Sequence, residues 1–215
     1  MDARTFAKRS WYRLLRGSCR FASVVLLQVR CRGTHLVPPQ GGALLLSNHQ
    51  SHLDPMLIAV ACDRPLSFVA RQTLFRFSPF RWLIKSLDAI PIDREGSGLG
   101  GLKETLRRLR RDEAVLLFPE GTRSDDGEVA PLKPGFCALA KRAGVPLVPV
   151  AVEGAFRAWP KTRLLPRPGR VVVEFGQPIM LAEIDQLDER ALLAEVERRI
   201  RSCHESARAY LRRTL

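Results

Sequence analysis

From Gly42 onward, short apolar runs alternate along the chain with longer stretches of helical character. The runs have the composition of buried strands: Ala43–Ser47, Leu66–Ala70, Ala114–Phe118, Val145–Val152 and Val171–Phe175. Helices are favoured in Pro55–Cys62, Leu99–Arg111, Gly135–Ala143 and within Asp188–Leu215. Strands that alternate with helices predict an α/β fold in which helices flank a mixed, largely parallel sheet.

Residues 1–32 differ from the rest of the chain in composition. They carry eight basic side chains and a single acidic one, Asp2, among aromatic and aliphatic residues. A helix with this mixture is typical of a segment that lies in a membrane interface. We therefore predict a basic, amphipathic membrane-associating segment over residues 1–33 and one globular domain over residues 34–215. The alternative is an ordinary N-terminal helix that docks on the domain.

No apolar stretch reaches the roughly 18 residues that a membrane-spanning helix needs. The longest, Phe21 to Val29, contains Gln28. A cleaved signal peptide is disfavoured because Arg30, Cys31 and Arg32 follow, where a cleavage site needs small neutral residues.

The charge balance indicates a polyanionic partner. Thirty-five Lys and Arg residues against 22 Asp and Glu residues give a net charge of +13. Nucleic acid, an anionic membrane surface and a phosphorylated substrate all fit this charge. The five cysteines are scattered without a C-x-x-C pair, which indicates reduced thiols and a cytoplasmic compartment.

The first polar cluster, residues 48–54, directly follows the apolar run Ala43–Ser47. Loops at the carboxyl ends of strands are where α/β folds place reactive groups. Asp54 before Pro55 predicts a helix start, with Asp54 as the N-cap and Pro55 as the first helical residue. If the intervening residues turn, the Asp54 carboxylate can also hold one nitrogen of His49. The other nitrogen is then free to take a proton from a hydroxyl.

The second cluster, residues 118–124 (Phe-Pro-Glu-Gly-Thr-Arg-Ser), also follows an apolar run. A guanidinium group, a hydroxyl donor and an accessible backbone amide together suit an anion. Glu120 is predicted to orient Arg123 or to contact substrate hydroxyls. The alternative is a surface turn in which Glu120 and Arg123 pair with each other. In a third cluster, residues 90–94, Arg94 is a candidate for a second phosphate ligand.

Other chemistries fit these residues less well. A metallo-hydrolase with an H-x-H-x-D-H motif needs histidines where Gln50 and Pro55 stand. The chain has no G-x-S-x-G motif, which would place a nucleophilic serine on a sharp turn. We therefore predict no metal site and no serine nucleophile.

Taken in order, these clusters resemble the glycerolipid acyltransferases that make phosphatidate from lysophosphatidate. Residues 49–54 match the H-x4-D box of that family, and residues 118–124 reproduce its F-P-E-G-T-R-S box. Residues 145–150 match its V-P-hydrophobic-hydrophobic-P-V box. The resemblance covers about residues 35–180.

The second family box, G-x-I-F-I-D-R, is only partly matched. Asp88 replaces its glycine and Pro91 its aromatic residue, whereas Arg94 is retained. Upstream, Arg71 stands where many relatives have lysine, and it keeps the positive charge.

The resemblance implies a glycerol-3-phosphate acyltransferase-like fold and direct transfer of a fatty acyl group. The donor would be acyl-CoA or acyl carrier protein, and the acceptor the hydroxyl of 1-acyl-sn-glycerol 3-phosphate. His49 would be the general base, oriented by Asp54. Five residues would bind substrate: Arg94, Glu120, Gly121, Thr122 and Arg123. No cofactor beyond the acyl donor is implied.

Alternative acceptors are another lysolipid, such as a lyso-ornithine lipid, and glycerol 3-phosphate. A protein of another class is a more remote alternative, namely a non-catalytic basic module that binds membrane or nucleic acid. The preferred hypothesis places a peripheral or monotopic enzyme on the cytoplasmic face of an anionic membrane, without a nucleic-acid partner.

Overall fold

A computed structural model describes residues 6–71, 90–92 and 99–214 of the chain. Within these residues the strands are β1 (Arg30–Arg32), β2 (Ala43–Ser47), β3 (Leu66–Arg71), β4 (Ile90–Ile92), β5 (Ala114–Leu117), β6 (Leu147–Glu153) and β7 (Val172–Phe175). They form one sheet in the order β1-β7-β6-β2-β5-β3-β4. All neighbouring pairs are parallel except β6 and β7, which are antiparallel. The prediction of a mixed, largely parallel sheet is confirmed.

The helices in the same residues are α1 (Phe6–Leu27), α2 (Asp54–Ala61), α3 (Leu99–Leu109), α4 (Gly135–Ala143), α5 (Ala155–Ala158), α6 (Leu181–Gln186) and α7 (Glu189–Arg213). A short 3-10 turn spans Thr34–Leu36. Helices cover both faces of the sheet, as parallel sheets require.

Two apolar cores lie on opposite faces of the sheet, because successive side chains of a strand alternate between faces. Leu45 of β2 points into the core under α2 and the end of α1, together with Leu57 and Leu27. Leu44 and Leu46 point into the core under α3, α4, α6 and α7. Every residue of β2 is buried, as expected for a strand in the middle of the sheet.

The bounds of two helices have local causes. Helix α3 ends at Leu109 rather than at Arg111, because Asp112 adopts a left-handed conformation, with φ of 63°. The N–H of Glu113 then bonds back to the carbonyl of Arg108 over 3.2 Å, which closes the helix. Helix α7 begins at Glu189, since Asp188 is its N-cap and accepts from the N–H of Ala191 over 2.7 Å.

The N-terminal segment joins the domain through strand as well as helix. After α1, residues Arg30–Arg32 form β1 and pair in parallel with Val172–Glu174. The last residues of the predicted segment 1–33 therefore belong to the sheet, and the division at residue 33 stays a prediction. None of the helices in the described ranges combines the length and apolarity needed to cross a bilayer.

Candidate active site

The loop that follows β2 is fastened to the neighbouring strand β6. Asn48 donates from Nδ2 to the carbonyl of Val152 over 3.0 Å and accepts from the N–H of Val152 over 2.8 Å. This pair of hydrogen bonds is buried, so it fixes the point at which the chain leaves the sheet. The next residue, His49, therefore projects from a rigid position.

His49 and Asp54 meet, as the sequence predicts. Nδ1 of His49 lies 2.8 Å from Oδ2 of Asp54, which also accepts from the N–H groups of Gln50 over 2.6 Å and Ser51 over 2.7 Å. Because a carboxylate oxygen only accepts hydrogen bonds, Nδ1 of His49 must be the donor of the bond to Oδ2 of Asp54. Nε2 of His49 then carries the free lone pair of a base.

The exposure of the two side chains suits these roles. The Asp54 side chain is fully buried, whereas the His49 side chain keeps 16% of its surface exposed. His49 Nε2 makes no hydrogen bond to any residue in the described part of the chain. A hydroxyl group can therefore reach the His49 imidazole while the Asp54 carboxylate stays out of contact with solvent.

Asp54 does not cap α2, and this prediction was wrong by one position. The cap residue is Leu53, so Asp54 is the first helical residue and Pro55 the second. The Asp54 side chain accepts from residues that precede it, Gln50 and Ser51, rather than from its own helix. The local signal identified the helix start correctly, but the carboxylate braces the loop.

The loop that follows β5 contacts the His49 loop directly. Oε1 of Glu120 accepts from the N–H of His49 over 3.0 Å, and the N–H of Ser124 donates to the carbonyl of His49 over 2.7 Å. The ring of Phe118 stacks on the imidazole with 4.0 Å between centroids. Both polar clusters therefore form one site at the carboxyl edge of the parallel strands β2 and β5.

Glu120 is an interior residue, only 3% exposed. Burial raises the pKa of its carboxyl group to about 8, against the opposing effect of the hydrogen bond from His49. Oε2 makes no hydrogen bond to the described residues. The surface-turn alternative is therefore wrong for Glu120, and a direct contact with substrate stays a prediction.

Arg123 reaches the histidine loop from the other side. Its Nη1 lies in hydrogen-bond contact with Nε2 of His52. Partial burial, and next the Arg123 charge, lower the pKa of His52. The neutral imidazole of His52 can then accept a hydrogen bond from the Arg123 guanidinium group. This contact holds a positive charge beside His52, which lies three residues along the chain from His49.

The turn between Glu120 and Arg123 requires glycine. Gly121 has φ of 77°, and its N–H bonds to the carbonyl of Phe118 over 3.1 Å. A β-carbon at this position would lie 3.0 Å from Nζ of Lys133. Lys133 therefore places a second cation beside the turn, whereas Thr122 is exposed. Sequence spacing gave no signal for Lys133.

A buried network behind the site was also absent from the sequence predictions. Nε2 of Gln50 donates to the carbonyl of Gly127 over 2.6 Å and to Glu153 over 3.2 Å. Oε1 of Gln50 accepts from the N–H of Phe156 over 3.1 Å. Glu153 in turn pairs with His204 of α7 at 2.6 Å. These contacts join the histidine loop to the C-terminal helix, and a polar cavity of about 250 Å³ borders them.

Arg94 lies outside the described residues, and the preceding strand β4 ends at Ile92 on the same sheet edge as β5. The described residues contain no group of three His, Cys, Asp or Glu side chains that could hold a metal ion. Burial raises the pKa of Cys137 to about 11 and that of Cys203 to about 12, so both remain thiols at neutral pH.

Comparison with known proteins agrees with this geometry. Residues 28–153 match the family model described as Acyltransferase. A 1-acyl-sn-glycerol-3-phosphate acyltransferase of Pseudomonas aeruginosa is 33% identical over 85% of this chain and 76% of its own length. A protein of the same description from Bacillus subtilis is 28% identical over 74% of this chain and 77% of its own length.

A solved structure gives the same result. The crystal structure of the 1-acyl-sn-glycerophosphate acyltransferase PlsC from Thermotoga maritima has a TM-score of 0.82 and 26% sequence identity. The match covers 97% of this chain and 84% of that one. The fold, the two joined loops and the family match lead to one conclusion: the chain belongs to the Acyltransferase family.

Proposed function

We propose that this protein is an O-acyltransferase that acylates 1-acyl-sn-glycerol 3-phosphate and so forms phosphatidate. The observation that carries the proposal is the junction of the His49–Asp54 pair with the Glu120–Arg123 turn in one site. A base for a hydroxyl group and a cationic turn for a phosphate group then lie side by side. The names of the relatives from Pseudomonas and Bacillus support the same acceptor.

The proposed reaction needs no covalent acyl-enzyme. Nε2 of His49 takes the proton of the acceptor hydroxyl as its oxygen attacks the carbonyl carbon of the thioester. The Asp54 carboxylate stabilises the imidazolium that forms. The carbon–sulfur bond then breaks, and the imidazolium returns its proton to the leaving thiolate. Positioning of the two substrates supplies a large part of the rate enhancement in a reaction of this kind.

Arg123, Gly121 and Thr122 are proposed to bind the acceptor phosphate. The Arg123 guanidinium is held toward the site by His52, and the Gly121 turn lets the Lys133 side chain approach as a second cation. Arg94 is proposed as a further phosphate ligand on the strength of its place after β4. Glu120 is proposed to meet acceptor hydroxyls only through a shift of its buried carboxyl group.

The thioester donor is proposed to be acyl-CoA or acyl carrier protein, with no other cofactor. The acceptor is a membrane lipid, so the enzyme is proposed to work at an anionic membrane surface on the cytoplasmic side, without nucleic acid. The lack of a disulfide among the five cysteines of the described residues and the net charge of +13 support this location.

The proposal is tested with purified protein and a panel of acceptors, each offered with acyl-CoA and with acyl carrier protein. We expect lysophosphatidate to give phosphatidate, and monoacylglycerol, which lacks the phosphate, to be at least about tenfold poorer in kcat/KM. Arg123→Ala should raise KM for lysophosphatidate about tenfold. Arg198→Ala, which alters an exposed arginine of α7, is the matched control.

Three results separate the alternatives. Preferred turnover of glycerol 3-phosphate or a lyso-ornithine lipid would replace the acceptor. Equal turnover of monoacylglycerol would remove the phosphate role of the Arg123 turn. Absence of transfer from either donor to any acceptor would overturn the proposed function.

A further inference from the structure

Two neighbouring leucines lie almost free of contact on the surface of the domain. Leu164 is 87% exposed and Leu165 is 70% exposed, in the loop between α5 and β7. An isolated exposed apolar side chain is ordinary, but a contiguous apolar surface marks a contact site for a partner. The leucines contribute little to the packing of the domain, so the fold alone gives no reason for them.

The loop that carries the leucines is closed by its own hydrogen bonds. Nε1 of Trp159 donates to the carbonyl of Arg163 over 2.9 Å, and the N–H of Arg167 donates to the carbonyl of Ala158 over 2.9 Å. These bonds tie the chain together on both sides of the leucine pair. The leucines therefore stand at the tip of a fixed loop.

The base of this loop is bonded to the end of α1. The N–H of Gly169 donates to the carbonyl of Leu26, and the N–H of Val171 to the carbonyl of Leu27, both over 3.1 Å. On α1 itself, three apolar side chains at helical spacing are exposed: Phe21 at 73%, Val24 at 50% and Val25 at 58%. The base of the leucine loop thus borders the end of the helix that carries the exposed apolar stripe.

The two segments that form this surface carry basic side chains and no acidic ones. Neither Phe6–Leu27 nor residues 160–170 contain an acidic side chain. The loop has Lys161, Arg163 and Arg167, and Arg170 follows it. Lys161 pairs with Asp125, an exposed carboxylate outside both segments. Exposed apolar groups on segments with a net positive charge are complementary to an anionic lipid bilayer, where each cation near the surface adds about 1 kcal/mol.

The loop also touches the catalytic loop. Oγ of Ser51 donates to the carbonyl of Trp159 over 2.7 Å, and the Trp159 ring lies 5.3 Å from the ring of His52. A bilayer that receives the leucine tip would therefore lie beside the loop that carries His49. A lipid acceptor could then reach the imidazole without leaving the membrane surface.

We propose that Leu164 and Leu165 insert into the interface of an anionic membrane and form, with the exposed stripe of α1, a two-part docking surface. The inference goes beyond acyl transfer, because it assigns a second membrane contact outside the N-terminal segment. Membrane binding does not depend on turnover, so the docking surface and the proposed function can fail separately.

The test is co-sedimentation of the full chain with vesicles of phosphatidylcholine containing about one third phosphatidylglycerol. The variant is Leu164→Asn with Leu165→Asn. The matched control is Met180→Asn with Leu181→Asn, a second exposed apolar pair, 53% and 39% exposed, at the start of α6 on the opposite face of the sheet. We expect the loop variant to lose at least about tenfold in partition coefficient and the control to stay within about twofold.

Thermal melts of both variants verify folding. If the double loop variant melts early, the single variant Leu164→Asn replaces it and is expected to lose about threefold in partition coefficient. Vesicle binding by the loop variant equal to that of the unaltered chain would overturn the proposal. So would an equal loss in the Met180–Leu181 control. If the loop variant loses binding while the unaltered chain shows no acyl transfer, the docking surface stands and the proposed function fails.

Discussion

The carboxyl group of Glu120 accepts a hydrogen bond from the backbone N–H of His49 over 3.0 Å, across 71 residues of sequence. This bond joins the loop that carries His49 to the loop that carries the Gly121–Arg123 turn. Because Glu120 is buried, the relative position of the two loops is set inside the protein rather than by the substrate.

Asp54→Asn should separate the electrostatic role of Asp54 from its structural role. The amide oxygen can still accept from the N–H groups of Gln50 and Ser51, but the negative charge beside His49 is lost. We expect kcat to fall roughly 10²- to 10⁴-fold with little change in melting temperature. Asp54→Ala should additionally destabilise the fold by about 2 kcal/mol, because buried donors lose their acceptor. Equal melting of both variants would contradict the bracing role.

Glu120→Gln should stabilise the protein at neutral and alkaline pH. The folded-state pKa of this carboxyl group is raised from 4.5 to about 8, so the folded chain holds a proton that the unfolded chain releases. Stability therefore falls as pH rises from about 4.5 to 8, and the amide removes this slope. We expect a gain on the order of 1–3 kcal/mol at pH 8, measured by urea unfolding. Glu205→Gln, at an exposed position, should show no such gain.

Glu153 should make the fold sensitive to acid. Burial by itself raises the pKa of Glu153, but the hydrogen bond and charge of His204, with the Arg208 charge, outweigh it and hold the pKa below its usual value of 4.5. The stability that this carboxylate contributes is present above that value and is lost as pH falls through the lowered folded-state pKa. The free energies of unfolding of the unaltered chain and of Glu153→Gln should therefore differ above pH 4.5 and converge as pH falls below it. Unfolding curves measured on both sides of pH 4.5 give these free energies. A difference in free energy of unfolding between the two chains that stays constant with pH would contradict the pairing with His204.

Gly121→Ala should impair acceptor binding. Alanine disfavours a φ of 77° by about 1 kcal/mol, and its β-carbon would displace the Lys133 side chain. We expect KM for lysophosphatidate to rise about threefold to tenfold. Gly100→Ala in helix α3 is the matched control, since a β-carbon at that position would meet no atom within 4 Å. A similar rise in KM for both variants would rule out a specific effect of the turn.

Where the sequence predicted structure well, the signal was local. The bounds of β2 and α4 agree with the predicted Ala43–Ser47 and Gly135–Ala143. A continuous apolar run specifies a fully buried central strand. Gly144, in a left-handed conformation with φ of 61°, ends α4 directly after its apolar stripe. The meeting of His49 with Asp54 was predictable for a similar reason, since both lie in one short turn.

What the sequence did not predict depends on contacts between distant residues. Gln50 bonds to Gly127 and Glu153 and lies within 3.2 Å of His204, positions 77 to 154 residues away. Glutamate is usually a surface residue, and the burial of Glu120 follows only from the contact between the loops after β2 and β5.

The most direct test of the account is the rate of acyl transfer from acyl-CoA to lysophosphatidate by His49→Ala. His35→Ala, which alters an exposed histidine remote from the H-x4-D loop in sequence, is the control, and melting curves verify folding. Loss of the general base should lower kcat at least about 10²-fold while His35→Ala retains full turnover. Turnover by folded His49→Ala equal to that of the unaltered chain would contradict the central role of the imidazole.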